Sequence, residues 1–245
     1  MNSTFLALIP KKQKLTDFGD FIPISCCNVV YKLIAKIIAQ RMKSILSQII
    51  LEEQFGFLFN RQIHDTVSLA QEAIHLINKY KLKAFSLKHD LSKAYDRVNW
   101  TFLRLLLIQL GFSIDLVNLI MGCVTSTSFT VLINGTPSSF FRPLRGLTQG
   151  CPLSPFIFLL VAEALSRIIH NVKENMLIKG IKVSSTEEVT HTLFVDDVLV
   201  FGEGTIRNLE AFASLIDKYK KATGMVVNME KSNLIHNDFS ADMIR

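Results

Sequence analysis

The amino-acid sequence predicts a mixed α+β fold, because long helical patterns alternate with short apolar strands along its 245 residues. Of these residues, 49% are hydrophobic and 20% are charged. This composition excludes a mostly disordered chain and suffices for one large core or two small ones. Glycine and proline are sparse and form no linker. The predicted strands are too few and too dispersed for a barrel, which leaves a mixed α+β order. Because no linker divides the chain, we expect a single domain over residues 1–245.

Six helices are predicted, and the first two show apolar residues at three- and four-residue steps. In chain order they are Cys27–Ile49, Val67–Tyr80, Trp100–Gln109, Ile114–Val124, Pro152–Val172 and Ile206–Thr223. Asp65 is the expected N-cap of the second helix. The fifth helix has a proline near its first turn, and Gly224 is the C-capping glycine expected to end the sixth.

Extended segments are predicted between these helices. They are Leu8–Lys14, Lys83–Asp90, Ser128–Asn134, His191–Val195 and Val198–Phe201. The second of them places Asp90 at a strand end. The last two are separated by Asp196 and Asp197, which is the pattern of a β-hairpin with acidic residues at its tip.

Charge and cysteine usage narrow the class of protein. The formal net charge of +6 is compatible with a polyanionic partner. Four cysteines without CxxC spacing indicate neither a zinc ribbon nor a disulfide scaffold, and we expect buried thiols in a reducing compartment. The most apolar stretch, Pro155–Leu165, is too short to span a membrane, and no secretory signal is present. We therefore expect an intracellular protein of the cytoplasm or nucleus that is not secreted and has no membrane partner.

Three carboxylates, Asp90, Asp196 and Asp197, are candidate metal ligands. The adjacent pair lies among apolar residues, where ionised groups are costly unless a cation or a basic side chain neutralises them. A tight turn that simply favours aspartate is the alternative. If the hairpin tip lies beside the end of the Asp90 strand, the three carboxylates converge on a hard divalent cation. Two such cations are the usual clamp for displacement at phosphorus.

A second candidate site is the polar turn at residues 145–155, where Gly146 and Gly150 precede a helix. Glycines allow a ligand to approach the backbone closely, and a helix N-terminus favours a phosphate or a base edge. The alternative is a loop that only caps the helix.

The sequence resembles the reverse transcriptases of non-LTR (LINE-type) retrotransposons, particularly those of plants. Six blocks carry the resemblance in collinear order: LIPKK (8–12), DFIPIS with CNVVYK (20–25 and 27–32), DLSKAYDRV (90–98), RGLTQGCPLSP (145–155), FVDD (194–197) and GMVVNMEKS (224–232). The resemblance implies a right-hand polymerase fold, with fingers mainly over about residues 1–83. Palm, with inserted finger elements, would cover about 84–245, and the thumb would be absent or incomplete.

The resemblance also implies roles for the acidic residues. Asp90 and Asp196 would bind two Mg²⁺ ions, with Mn²⁺ as a substitute, and Asp197 would contribute less directly. Lys231 would be the general acid for the leaving pyrophosphate. Asp96 is expected to pair with a basic side chain.

Further residues would bind the nucleotide and the template. Tyr95 would lie under the incoming sugar and exclude a 2′-hydroxyl. Gln149 and Gly150 would contact the incoming nucleotide and the template, and Lys11 would steady the triphosphate. Trp100 is expected to be a core residue.

Several positions depart from the family pattern. Ile22 and Thr148 stand where arginine is usual, Phe59-Asn60 where proline-glycine is usual, and His89 where an apolar residue is usual. Val195 replaces a more common alanine, a mild change for a strand residue. Three functions therefore stay open. The first is an RNA-directed DNA polymerase that adds dNTPs to a primer 3′-hydroxyl on an RNA or DNA template. The others are a degenerate fragment that retains only nucleic-acid binding, and an unrelated metal-dependent phosphoryl-transfer enzyme.

Overall fold

A computed structural model describes residues 2–58, 61–133, 135–184 and 187–236. The fold is mixed α and β, as predicted. The helices are α1 (Val29–Ile49), α2 (Ile63–Lys79), α3 (Ala94–Arg97), α4 (Trp100–Gln109), α5 (Ile114–Thr125), α6 (Ser154–Glu174) and α7 (Ile206–Thr223). The strands are β1 (Asn2–Pro10), β2 (Phe21–Cys26), β3 (Ala84–Asp90), β4 (Thr127–Ile133), β5 (Thr136–Pro137), β6 (Ile181–Lys182), β7 (Glu188–Val189), β8 (His191–Phe194), β9 (Asp197–Glu203) and β10 (Asn233–His236). Asn134, the predicted end of the third extended segment, lies outside the described residues, as do Phe59 and Asn60.

All six predicted helices are present, and their ends show which capping predictions were right. Gly224 adopts a left-handed conformation with φ of 80°, and its N–H donates to Lys220, which confirms it as the residue that ends α7. Asp65 is not an N-cap, because α2 begins at Ile63. Its carboxylate instead accepts the backbone N–H of Gln62 at 2.9 Å, the reciprocal bond of a capping box.

Two compact units, interleaved in sequence, make up the fold. The first comprises residues 1–45 and 95–158. Its sheet has the strand order β2–β1–β4–β5, in which β1 is antiparallel to β2 and parallel to β4. Three of the four cysteines, Cys27, Cys123 and Cys151, are buried in this unit, whereas Cys26 is exposed, so the expectation of buried thiols was wrong for that residue.

The second unit comprises residues 46–94 and 159–245. Its main sheet has the order β10–β3–β9–β8, with every pair antiparallel. One face of the sheet packs against α7, where the rings of Phe85 and Phe212 meet edge to face at 5.8 Å. The division into fingers over about residues 1–83 and palm over about residues 84–245 stays a prediction.

Helix α6 is longer than the apolar stretch noted in the sequence. By length and composition it is the one helix among the described residues that could cross a membrane. However, 61% of its most apolar window is buried within the protein. Glu163, in the middle of this helix, is fully buried. These are properties of a core helix.

Candidate active site

The acidic residues meet where β3 and β9 pair. The antiparallel register places Asp90, the last residue of β3, directly opposite Asp197, the first residue of β9. On its other side Asp197 pairs with Phe194 of β8. The hairpin turn is therefore Val195–Asp196, and the prediction that both acids lie at the tip was wrong for Asp197. Directly opposed like charges repel each other, so this pairing is costly unless a cation is near.

Val195 lies in the turn and not in a strand. Its φ of +60° falls in the left-handed region, which is strongly disfavoured for a β-branched side chain. The substitution of valine for alanine is therefore not the mild strand change that the sequence suggested. Surrounding contacts must stabilise this turn, because valine alone would not adopt it.

The surroundings of Asp196 perturb its carboxyl group. Partial burial raises the pKa of the Asp196 carboxyl group, and the negative charges of Asp197 and Asp90 raise it further, although a backbone N–H opposes both effects. The residue as a whole remains exposed. The Lys88 ammonium lies 3.4 Å from Oδ1 of Asp197, and both side chains are about half exposed. Lys88 and Asp90 are two residues apart on β3 and share one face of the sheet.

The donor set suits a hard divalent cation, since carboxylate oxygens are the ligands that Mg²⁺ and Mn²⁺ prefer. Within residues 2–58, 61–133, 135–184 and 187–236, however, no three His, Cys, Asp or Glu side chains are gathered closely enough to enclose a metal ion. Asp90, Asp196 and Asp197 thus fit a metal in donor chemistry, and the strand register brings their backbones together, but their carboxylates are not gathered into a metal-binding group in this structure. Lys88 occupies one side of this group.

The segment that carries Lys231 is tied to the backbone of Asp90. Asn228 N donates to Asp90 O at 2.8 Å, and Ser232 Oγ accepts the Asp90 N–H at 3.3 Å while donating to Asn228 O. Lys231 lies in the turn between these two residues and is exposed. The structure thus brings the predicted general acid to the end of β3 where Asp90 lies.

The glycine turn belongs to the first unit and is bonded to the segment around α3. Gly146 N donates to Val98 O at 2.8 Å, and Leu147 N donates to Tyr95 O at 2.7 Å. The indole N–H of Trp100 donates to Gly146 O at 2.8 Å. Trp100 is half-buried, so the expectation that it is a core residue was wrong. Its indole instead bonds to a partner 46 positions away in sequence.

Both glycines of the turn are required by close backbone contacts. Gly146 has φ of +91°, and a Cβ there would lie 2.7 Å from Asp96 O. Gly150 has φ of +95°, and a Cβ there would lie 2.8 Å from Ser25 O. In this conformation any other residue is strained, and neither opposing carbonyl is a flexible side chain.

Gln149, predicted to contact the nucleotide, is fixed at both ends. Its backbone carbonyl accepts the Ser25 N–H at 2.8 Å, and its Nε2 donates to Asp96 Oδ1 at 2.9 Å. The expectation that Asp96 pairs with a basic side chain was therefore wrong. Because a carboxylate only accepts, Asp96 orients the amide so that Nε2 faces it and Oε1 is turned away as an acceptor.

Tyr95 and Lys11 are the remaining predicted site residues of this unit, and Ile22 and Thr148 are the two positions where arginine is usual. The Tyr95 ring is half-buried and stacks on Phe158, with centroids 4.7 Å apart and planes at 10°. Lys11 Nζ donates to Gly19 O at 3.1 Å, so its ammonium is engaged in the 11–20 loop. Ile22 is 37% exposed, whereas Thr148 is buried and faces Thr127. A longer side chain therefore has room at position 22 but not at 148.

Known proteins align with this chain along nearly its whole length. It is 27% identical over 240 residues to the transposon TX1 uncharacterized 149 kDa protein of Xenopus laevis, which covers 98% of this chain and 18% of that protein. It is 26% identical over 233 residues to the retrovirus-related Pol polyprotein from type-1 retrotransposable element R2 of Popillia japonica, which covers 92% of this chain and 31% of that protein. The chain thus spans less than a third of the length of either relative. The resemblance to non-LTR retrotransposon proteins is confirmed.

The fold has solved counterparts. A telomerase chain from Candida tropicalis superimposes with a TM-score of 0.67 at 16% identity, covering 98% of this chain and 51% of that one. This likeness confirms the right-hand polymerase fold. The family profile described as reverse transcriptase (RNA-dependent DNA polymerase) matches residues 9–242. The chain belongs to the reverse transcriptase (RNA-dependent DNA polymerase) family.

Proposed function

We propose that this chain is the polymerising part of an RNA-directed DNA polymerase, which adds dNTPs to a primer 3′-hydroxyl on an RNA or DNA template. The observation that carries the proposal is the register that sets Asp90 opposite Asp197, with Asp196 in the adjoining turn. The family membership and the net charge of +6 support a nucleic-acid partner.

Asp90 and Asp196 would hold divalent cations, Mg²⁺ or Mn²⁺, with Asp197 beside them. When bound, such cations neutralise charge on the phosphate oxygens and lower the pKa of the primer hydroxyl. Lys231 would donate a proton to the pyrophosphate as it leaves. The pairing of β3 with β9 fixes Asp90 and Asp197, and Asp196 lies in the adjoining turn, so the part of these residues in the reaction would be electrostatic positioning.

The first unit supplies residues for nucleotide and template binding. Gln149, whose amide Asp96 orients, would present Oε1 to a donor on the nucleotide. Gly150, whose close contact with Ser25 O fixes the turn, would hold Gln149 in place beside the nucleotide and the template. The Tyr95 ring, fixed by its stack on Phe158, would form a flat surface for the sugar. Lys11 would have to release Gly19 O to reach a triphosphate.

Template-directed incorporation tests the proposal. With oligo(dT) on poly(rA), we expect incorporation of dTTP but not of the other dNTPs in Mg²⁺ or Mn²⁺, and none after chelation. Turnover of nucleotide without primer or template would instead support an unrelated phosphoryl-transfer enzyme. Binding of the primer–template without incorporation would support a degenerate fragment, which the missing arginines at Ile22 and Thr148 make a real alternative.

Arginine at position 22 should improve nucleotide binding. Ile22→Arg places a guanidinium on a partly exposed strand residue, where it can form charge-assisted bonds to a triphosphate. We expect KM for dTTP to fall by about tenfold, the equivalent of one strong charged hydrogen bond. Ile22→Lys is the control for charge alone, and an unchanged KM in both variants would contradict a triphosphate contact at this position.

Removing the Lys88 ammonium should tighten metal binding. Lys88 neutralises Asp197 and occupies one side of the carboxylate group, so Lys88→Met removes both a competitor and a repulsive charge. Because the pair is half exposed, we expect only a roughly two- to fivefold gain in Mn²⁺ affinity, followed by electron paramagnetic resonance. Lys179→Met, which breaks the pair with Glu203 at the other end of β9, should leave the affinity unchanged. Weaker binding by Lys88→Met would contradict the assignment.

A further inference from the structure

A short segment of the second unit lies beside the acidic hairpin. Leu193 N donates to Glu53 O at 2.7 Å, and Phe55 N donates to Leu193 O at 2.9 Å, so that residue 54 pairs in parallel with β8. This contact places Gln54 next to the turn that contains Val195 and Asp196. The pairing joins positions about 140 residues apart.

The Gln54 side chain supplies the acceptor that this turn needs. It is fully buried, and its Oε1 accepts the backbone N–H of Val195 at 3.1 Å and that of Gly56 at 2.9 Å. Its Nε2 has no hydrogen-bond partner among the described residues. A buried amide with unsatisfied donors is unfavourable for stability. The side chain is therefore best explained by what its oxygen does for the turn.

Gly56 also packs closely against Val195 and restricts the conformation of the turn. A Cβ at position 56 would lie 2.5 Å from Val195 Cγ2 and 3.0 Å from Val195 N. Only glycine lets the two backbones approach this closely. Gln54 and Gly56 together account for the left-handed conformation of Val195, which its own side chain disfavours.

The segment that carries Gln54 is itself firmly anchored. Arg61 Nη1 donates to Leu51 O at 2.6 Å and to Gln54 O at 2.7 Å. The buried Glu163 carboxylate of α6 accepts the Leu51 N–H at 3.1 Å and pairs with Arg167 at 2.8 Å. These charge-assisted bonds give Gln54 a fixed backbone from which to hold the turn.

From these contacts we infer that Gln54 is a positioning residue, which fixes the Val195 amide and thereby the direction in which Asp196 presents its carboxylate beside Asp90 and Asp197. The effect of Gln54 on the turn stands on the contacts alone. Its effect on metal binding and turnover rests on the proposed function. Supporting residues of this kind typically change metal affinity or activity by roughly 10–100-fold when replaced.

Two variants separate the acceptor from the shape of the side chain. Gln54→Met keeps the length of the side chain and removes both the amide oxygen and the amide nitrogen. The unsatisfied N–H donors are lost with the nitrogen, so the fold should survive. Gln54→Glu keeps an acceptor for Val195 N. We expect faster amide hydrogen exchange at Val195 in Gln54→Met, and protection close to that of the natural chain in Gln54→Glu.

Metal binding and kinetics provide the readouts that a general loss of stability would not give. In Gln54→Met we expect Mn²⁺ affinity and kcat to fall by about tenfold or more, with KM for dTTP changed by less than about twofold. Ile77→Val, a mild core truncation in α2 of the same unit, is the control for destabilisation and should keep the natural affinity and kcat.

The outcomes are distinct. Unchanged exchange at Val195 in Gln54→Met overturns the inference. Faster exchange together with natural Mn²⁺ affinity limits Gln54 to the fold and overturns its role toward the carboxylates. If the natural chain incorporates no dTTP, yet Gln54→Met weakens Mn²⁺ binding and exposes Val195, the proposed function fails while the inference stands.

Discussion

Asp196→Asn is expected to unfold at a higher temperature than the natural chain at pH 7 in the absence of divalent metal. Burial of the Asp196 carboxyl group, with Asp197 and Asp90 nearby, raises its pKa in the folded protein. The folded state therefore binds this proton more tightly than the unfolded chain does, and ionising the group at neutral pH costs stability. Asparagine removes the charge and hence the penalty.

Because the pKa of Asp196 is raised in the folded state, the stability difference between the variant and the natural chain should depend on pH. Below the ordinary aspartate pKa of about 4, both states are protonated and the two proteins should unfold alike. The advantage of the variant should grow as pH rises from there through the raised pKa of the folded state, and then level off. Because the residue is exposed and screened by water, we expect a rise in Tm of only about 1–3 °C.

Metal should reverse this order. A cation that binds the folded natural chain stabilises it by mass action, whereas the variant has lost a ligand. Asp217→Asn is the matched control in the same unit, because the bond with Lys221 lowers the pKa of Asp217 and the same substitution there should not stabilise. A lower Tm for Asp196→Asn in chelator at pH 7 would show that burial and the neighbouring carboxylates do not destabilise the ionised Asp196 side chain.

Gly146→Ala is expected to destabilise the first unit by about 3 kcal/mol or more, and to disorder the site around Gln149. The new Cβ would lie 2.7 Å from Asp96 O, 2.9 Å from Asp96 C and 3.0 Å from Asp96 Cα, and the backbone at Gly146 has φ of +91°. Conformational strain and a backbone clash therefore add. Relief requires movement of Asp96, which orients the Gln149 amide.

Gly111→Ala separates these two causes. Gly111 belongs to the same unit and has φ of +86°, but a Cβ there meets nothing within 4 Å. Its replacement should cost only the conformational term, about 1 kcal/mol. Urea unfolding of both variants measures the difference. Equal losses of stability would mean that the close approach of Gly146 to Asp96 has no energetic weight.

Local patterns were sufficient to locate most elements and the acidic residues. The apolar period predicts α1, the glycine after Thr223 predicts the end of α7, and the apolar runs on either side of the acids predict the β8–β9 hairpin. These features depend on residues a few positions apart, which is the range over which helix and strand periods act.

The exact turn and its supports could not be predicted in this way. Asp196 and Asp197 are both common turn residues, so the pattern alone leaves Val195 in a strand. The residues of the turn are determined by the register that pairs Asp197 with Phe194 and with Asp90. Gln54 acts on a residue 141 positions away and Asp96 on one 53 positions away, separations that no sequence period links.

The most direct test of the carboxylate site is primer extension by the natural chain and by Asp196→Asn on the same poly(rA)–oligo(dT) substrate. Asparagine keeps the shape of the side chain and removes one oxygen ligand and its charge. We expect extension by the natural chain in Mg²⁺ or Mn²⁺, and a loss of at least about a thousandfold in the variant. Equal incorporation of dTTP by the two proteins would contradict the assignment of Asp196 and, with it, the proposed polymerase site.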